Sequence, residues 1–413
     1  MALAACAAIA LAGLSATPPA SAGGFAVRDN STSGLMTSFA GVTAFGYDPS
    51  FQIYNPATLA DLPGRQVTVD LKGFFPSASM TATNATAPTF AGGGNLTGLG
   101  NSGEMTDPQF GPTAFGSWRF SDRFTAGVAL YSPFAVIIGT NPIWAGEYQL
   151  LSTKMVAYDM QLGGAYQVND WLALGGAINV QYFDADLRRL EFIGFTSAEG
   201  YVKGNDVGVG YDVGFTLTPN ERTRIGVNYR SAINHSLSGT AGVVIGPPMP
   251  AVTDLTTPDS LTVGLSERLT KRLTFLADFG WTGWSKFKGF TIHLPGGPEV
   301  RPQYWRDTWH AALGVRYALN DSLTLATGVL FDQGVSTGDS NTLSPDGDRV
   351  QLGVGFEKRM SDKVRLGVAL SHMMIAEAPI NVTETQGGNA GSSLTGSFKS
   401  HVTTIGVNLT TSW

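Results

Sequence analysis

Residues able to do chemistry are few and scattered along the chain. His235, His293, His310, His372 and His401 are its five histidines, and none has a cysteine partner or metal-ligand spacing. Composition leaves a Ser/His/Asp triad and an outer-membrane hydrolase open as a minor alternative, but no G-x-S-x-G elbow introduces a serine between a strand and a helix. An enzyme is therefore not the expected reading, and no cofactor or metal is implied. What remains is charge. Asp159, Asp212, Asp278, Arg224, Arg230 and Arg316 lie on the less bulky face of a two-residue alternation, where lumen salt bridges, not ligand contacts, are the expectation.

That alternation defines the elements that must hold them. Val207, Val209, Tyr211, Val213, Phe215 and Leu217 share one face, while Gly208, Gly210, Asp212, Gly214 and Thr216 share the other. The same split recurs at Leu273–Trp281, Trp309–Tyr317, Val350–Phe356 and Val364–Leu370, always with a small or polar second face. Runs of about ten alternating residues suit a tilted transmembrane strand. A soluble sandwich would put its bulky face inside and charge outside. Here the non-bulky face is Gly-rich, as for a lumen that something else must fill. Composition agrees: 52 glycines, and charged residues at 14% where about 25% is usual for soluble chains. The formal charge of −6 gives no reason to expect nucleic acid. No apolar run long enough for a helical span follows the N-terminus.

Connections fall into two kinds. Tight polar turns occur at 121–123, 168–170, 219–221, 270–272, 320–322 and 361–363. Between them lie longer segments rich in Gly, Pro, Ser, Thr and Asn, near 76–109, 133–152, 184–205, 234–257, 285–307, 333–347 and 376–399. Short periplasmic turns and long extracellular loops are the pattern of outer-membrane barrels. Six turns and seven loops make fourteen antiparallel strands over residues 64–413, with both ends periplasmic.

Residues 1–22 read as a secretory leader, an apolar run closed by Ala20-Ser21-Ala22. No Lys or Arg precedes that run, which points to a start upstream of Met1. Cys6 has too few apolar residues before it for a lipoprotein signal, and removing the leader leaves no thiol chemistry. Residues 23–63 then form a turn-rich segment with no period, containing Asn55-Pro56, whose proline fixes its own φ and pushes Asn55 out of the α region.

The order Ser33-Gly34-Leu35, Ala40-Gly41, Asn55-Pro56-Ala57 and then strands resembles the FadL/TodX (OmpP1) family of outer-membrane transporters for hydrophobic compounds. The resemblance implies an all-β fold, a fourteen-stranded transmembrane barrel plugged by residues 23–63 as an N-terminal hatch. It implies passive uptake of hydrophobic molecules across a Gram-negative outer membrane, long-chain fatty acids first and aromatic hydrocarbons as the alternative. A general porin would want charged pore rings and no hatch. Ser132-Pro133-Phe134 matches the family's inward kink of the third strand, which opens the wall sideways; on the residues alone, Pro133 equally marks a strand end. The spacing from Asn179 to Arg189 resembles a fifth strand whose arginine binds a fatty-acid carboxylate, and Arg306 resembles a lysine sharing that role. Without the resemblance, Arg189 would be a loop arginine near Asp186. Trp413, closing a strand with Ile405, Val407 and Leu409, resembles the terminal signal read by the barrel-assembly machinery and also suits an interfacial girdle. Outer-membrane lipid and lipopolysaccharide are the surroundings expected of a monomer.

Overall fold

The structure is a computed structural model that describes residues 24–338 and 342–413. The leader reading of residues 1–22, Cys6 included, lies outside the described residues. Among the described residues eighteen strand runs follow in order: β1 (Arg65–Thr86), β2 (Gln109–Arg119), β3 (Phe124–Gly139), β4 (Ser152–Asn169), β5 (Leu172–Phe192), β6 (Ser197–Leu217), β7 (Thr223–Arg230), β8 (Ile233–Val243) and β9 (Met249–Thr257). Then come β10 (Ser260–Arg268), β11 (Leu273–Thr282), β12 (Gly289–Leu294), β13 (Gly297–Pro302), β14 (Thr308–Ala318), β15 (Leu323–Asp332), β16 (Arg349–Arg359), β17 (Val364–Thr383) and β18 (Ser393–Ser412). Four of the barrel's strands are each interrupted once, joining β7 to β8, β9 to β10, β11 to β12 and β13 to β14. The wall therefore has fourteen strands. All pair antiparallel, and β1 closes the ring by pairing with both β18 and β2.

The alternation does what its chemistry requires. On β6, Val207, Val209, Tyr211 and Val213 are exposed outward while Gly208, Gly210 and Asp212 are buried. Five of the six short turns fall between strands as expected, and at the sixth β4 runs on through Val168 and Asn169, leaving the turn at 170–171. Six of the seven long segments, all but 333–347, are shorter than the sequence suggests, because strands run on into them. β1 has 22 residues, about twice what a tilted crossing needs. β5 and β6 pair from Leu172↔Leu217 out to Phe192↔Ser197, which leaves only 193–196 as loop in place of 184–205. Gly, Ser and Thr there carry no lipid-facing pattern, yet their backbone groups still pair.

Residues 24–63 lie against the less bulky face. Nearly all of them are buried, and they form one helical turn (Thr32–Leu35), two 3-10 turns (Pro49–Ile53 and Pro56–Asp61) and connecting bends. Inward glycines let this backbone approach closely. A Cβ at Gly175 would lie 2.1 Å from Ala57 N, one at Gly226 1.9 Å from Thr43 O, and one at Gly328 2.0 Å from Thr37 O.

Candidate functional site

The Asn55-Pro56-Ala57 motif works as a cap and a strut. Asn55 Oδ1 accepts from Ala57 N at 3.0 Å, capping the turn that Pro56 opens. Its Nδ2 donates to Thr43 O at 2.8 Å and to Phe215 O of β6 at 3.2 Å, so one side chain ties two bends to the wall. Ser33 Oγ donates to Asp48 at 2.5 Å and accepts from Asn408 Nδ2 of β18 at 2.9 Å. Gly41, at φ +79°, presents its N–H to Asp278 of β11.

The inward charges sort themselves by these partners. Arg230 pairs with Asp159 at 3.2 Å and Asp212 at 3.7 Å, and Arg316 with Glu357 at 3.6 Å, as expected of wall ion pairs. Arg224 is also ion-paired, with Asp61 of the N-terminal segment, whereas Asp278 instead receives Gly41 N–H and Thr43 N–H; both side chains hold that segment to the wall.

Ser132-Pro133-Phe134 lies within β3, not at its end. The register against β4 slips between Tyr131 and Phe134, a bulge that accommodates the proline's missing N–H. β3 pairs with β2 only as far as Leu130↔Ala114, while Gln109–Thr113 of β2 continue to pair with β1 alone. Past that point the N-terminal segment takes β2's place beside β3. Val27 N donates to Pro133 O at 2.7 Å, Ala135 N donates to Phe25 O at 2.8 Å, and Ala26 bridges Phe134. Asn30 reinforces it, donating to Ser132 O at 2.9 Å and accepting from Ser132 N at 3.2 Å. The wall is thus discontinuous between β2 and β3, and the N-terminal segment covers the β3 edge.

Above this break lies a chamber of rings. Phe25 is fully buried among Trp284, Phe287, Phe134, Trp305 and Phe183, with ring centroids 5.1, 5.3, 5.6, 5.9 and 6.3 Å away. Sequence reasoning missed this cage. Its signal was there: Trp284 and Phe287 follow the alternating run that ends at Trp281, and their three-residue spacing breaks the period. The 3-10 turn Trp284–Lys286 and the break at 303–307 are what aim Trp284, Phe287 and Trp305 inward.

Arg189 sits higher, at the outer end of β5, with little exposure. Its guanidinium is held by three carboxylates, Glu191 at 2.6 Å, Glu384 at 3.1 Å and Glu299 at 3.3 Å. It lines two cavities of about 510 and 430 Å³, the second walled by Leu187, Phe192, Ile193, Val202, Met249 and Leu294. In the extracellular hairpin β12–β13, burial pushes the Glu299 carboxyl up, but Arg301 and Arg189 outweigh it and hold it below the ordinary glutamate value. Arg306 is not brought beside Arg189. Its Nε donates to Gly334 O at 3.0 Å, it lies 3.8 Å from Asp348, and it lines neither cavity. Among the described residues no group of three or more His, Cys, Asp or Glu could hold a metal.

A family model for outer membrane protein transport proteins (OMPP1/FadL/TodX) matches residues 13–413. The chain belongs to this family. Its members are outer-membrane transporters of hydrophobic compounds, and this chain is an outer-membrane β-barrel of that kind. It is 25% identical to the putative outer membrane protein NMB0088 of Neisseria meningitidis, over 88% of this chain and 89% of that one. It is 22% identical to the long-chain fatty acid transport protein of Escherichia coli K12, over 87% and 89% of the two chains. A crystal structure of a Pseudomonas aeruginosa FadL homologue superposes with a TM-score of 0.87 at 23% identity, covering 94% of this chain and 99% of that one. The Pseudomonas putida toluene transporter TodX gives 0.67 at 17% identity, covering 92% and 97%.

Proposed function

We propose that this protein takes up hydrophobic molecules passively, with residues 24–63 acting as a hatch that closes the lumen. Cargo collects in the outer apolar cavity, moves to the ring cage by displacing Phe25, and leaves sideways through the break between β2 and β3. One observation carries this reading: Phe25 both fills the cage and, through its carbonyl, hydrogen-bonds Ala135 at the break. Its departure would vacate the chamber and uncover the exit together. An unpaired backbone group facing hydrocarbon costs several kcal/mol, which explains why the resting gap is covered by chain.

Long-chain fatty acids are the first cargo reading, and relatives named for that activity span most of the chain. In it Arg189 receives the cargo carboxylate by exchange for one of its three glutamates, a planar fork suiting two parallel charge-assisted bonds. Arg306, bonded to Gly334 O, is the weaker second partner. A neutral aromatic hydrocarbon is the second reading. The edge-to-face cage and the prior neutralisation of Arg189 favour it. Binding of both ligand types to Arg189→Ala separates the two. A charged hydrogen bond is worth about 1.5–3 kcal/mol, so fatty-acid affinity should fall roughly ten- to a hundredfold while hydrocarbon affinity holds. Unchanged fatty-acid affinity makes Arg189 a wall residue and the hydrocarbon the cargo.

A further inference from the structure

Two histidines stand on the outside of the barrel, where the lumen and its cargo explain nothing about them. β17 and β18 pair with His372 opposite Thr403 and Met374 opposite His401, which sets all four side chains on one outward patch. On the same strands and the same face, Leu366, Val368 and Leu370 run beside Leu409, Val407 and Ile405, so the histidines come where that apolar band stops. Farther out on these strands Lys399 meets Glu377 at 3.4 Å, both well exposed. The patch therefore lies between lipid and water.

Its ring spacing fits a chelate. The imidazole centroids are 5.6 Å apart and the rings cross at 45°. An ion held at about 2.0–2.1 Å by each ring nitrogen sits about 3.2 Å from each centroid, and a tetrahedral-to-trigonal angle then separates the centroids by about 5.2–5.6 Å. His372 Nδ1 is hydrogen-bonded to Thr403 Oγ1 at 2.9 Å, which orients the ring and leaves Nε2 for a ligand bond. Met374, directly opposite His401 and 44% exposed, offers a thioether as third donor. A thioether is a soft ligand that selects Cu(I) over hard divalent ions. We propose that His372, His401 and Met374 form an outward-facing site for monovalent copper at the rim of the membrane band.

The test uses the full chain carrying Cys6→Ser, so that no thiol competes, purified in detergent. It is titrated anaerobically with Cu(I) against a chromogenic chelator, and with Zn(II) alone in parallel. We expect one equivalent of Cu(I) that is lost in His372→Ala/His401→Ala, a variant confined to exposed positions. Met374→Leu should weaken Cu(I) at least tenfold and leave Zn(II) unchanged, and X-ray absorption should show nitrogen and sulfur neighbours. Equal copper uptake by the parent and the double-histidine variant overturns the proposal. So does a copper spectrum without sulfur that Met374→Leu leaves unaltered.

Discussion

Gly175 and Gly328 are the places where adding a single methyl group interrogates the N-terminal segment. A Cβ at Gly175 would stand 2.1 Å from Ala57 N, whereas ordinary contact begins near 3.4 Å, so the Asn55-Pro56-Ala57 turn must retreat by 3.4 − 2.1 = 1.3 Å. At Gly328 the obstacle is Thr37 O at 2.0 Å, again backbone with no flexible side chain to yield. Overpacking of this kind costs about 1–3 kcal/mol per site. The two contacts involve separate bends, so Gly175→Ala/Gly328→Ala should weaken docking of the segment by about 2–6 kcal/mol. At tenfold per 1.4 kcal/mol, the undocked fraction rises roughly thirtyfold at the low end and by about four orders of magnitude at the high end. Conductance in planar bilayers reads this directly, with Gly98→Ala as control because nothing lies within 4 Å of its Cβ. A double variant that keeps its strand content and conducts no more than the control would refute the claim that residues 24–63 close the lumen.

Enlarging the small residues at the β3 bulge should slow release without weakening binding. Ser132→Leu and Ala135→Leu fill positions that are buried beside Asn30 and Val27, and equal uptake rates in these variants would leave the break as bare wall geometry. Acid should loosen the outer mouth. Because the folded Glu299 carboxyl titrates below its ordinary value, its stabilisation is complete above that value and lost as pH falls through the lowered one. The protection of Gly297–Pro302 against hydrogen exchange, taken relative to the intrinsic rate at each pH, should therefore fall in the native protein as acid carries the medium below the ordinary glutamate value, and already be low at neutral pH in Glu299→Gln. Protection that stays constant through that acid range in the native protein would show that the glutamate does not anchor the hairpin.

Strand number and orientation were readable because lipid imposes a strict two-residue period, which Val207–Leu217 displays and the exposure of Val207, Val209, Tyr211 and Val213 repeats. The Gly-rich inner face also carried its meaning, since Gly175, Gly226 and Gly328 are where the N-terminal backbone rests on the wall. Beyond the membrane the period has no cause. That is why 184–205 looked like loop although β5 and β6 pair almost to their tip. Pro133 was legible as a defect and ambiguous as to kind; telling a bulge from a strand end needed the β4 register and the N-terminal chain lying against it. Arg189 was found from its spacing to Asn179, but Glu299 is 110 residues away in sequence, and no local pattern announces that its fork is already occupied. The ring cage was missed because its members come from the N-terminus, β3, β5 and two strand interruptions, and only the closed barrel brings them together.

Ala26 and Phe134 face each other across an antiparallel bridge, and this pair offers the most direct test of whether cargo moves by displacing the N-terminal chain. Such Cα atoms lie about 4.5–5.5 Å apart, within reach of a disulfide. In a Cys6→Ser background, Ala26→Cys/Phe134→Cys would carry the two thiols of that pair and no other. Uptake of a long-chain fatty acid and of an aromatic hydrocarbon would be measured in the oxidised protein and again after reduction. The proposed route predicts that oxidation stops whichever cargo the protein carries and that reduction restores it in the same sample. Uptake that is equally fast with the disulfide closed would mean the cargo passes without moving Phe25 or uncovering the break beside Pro133.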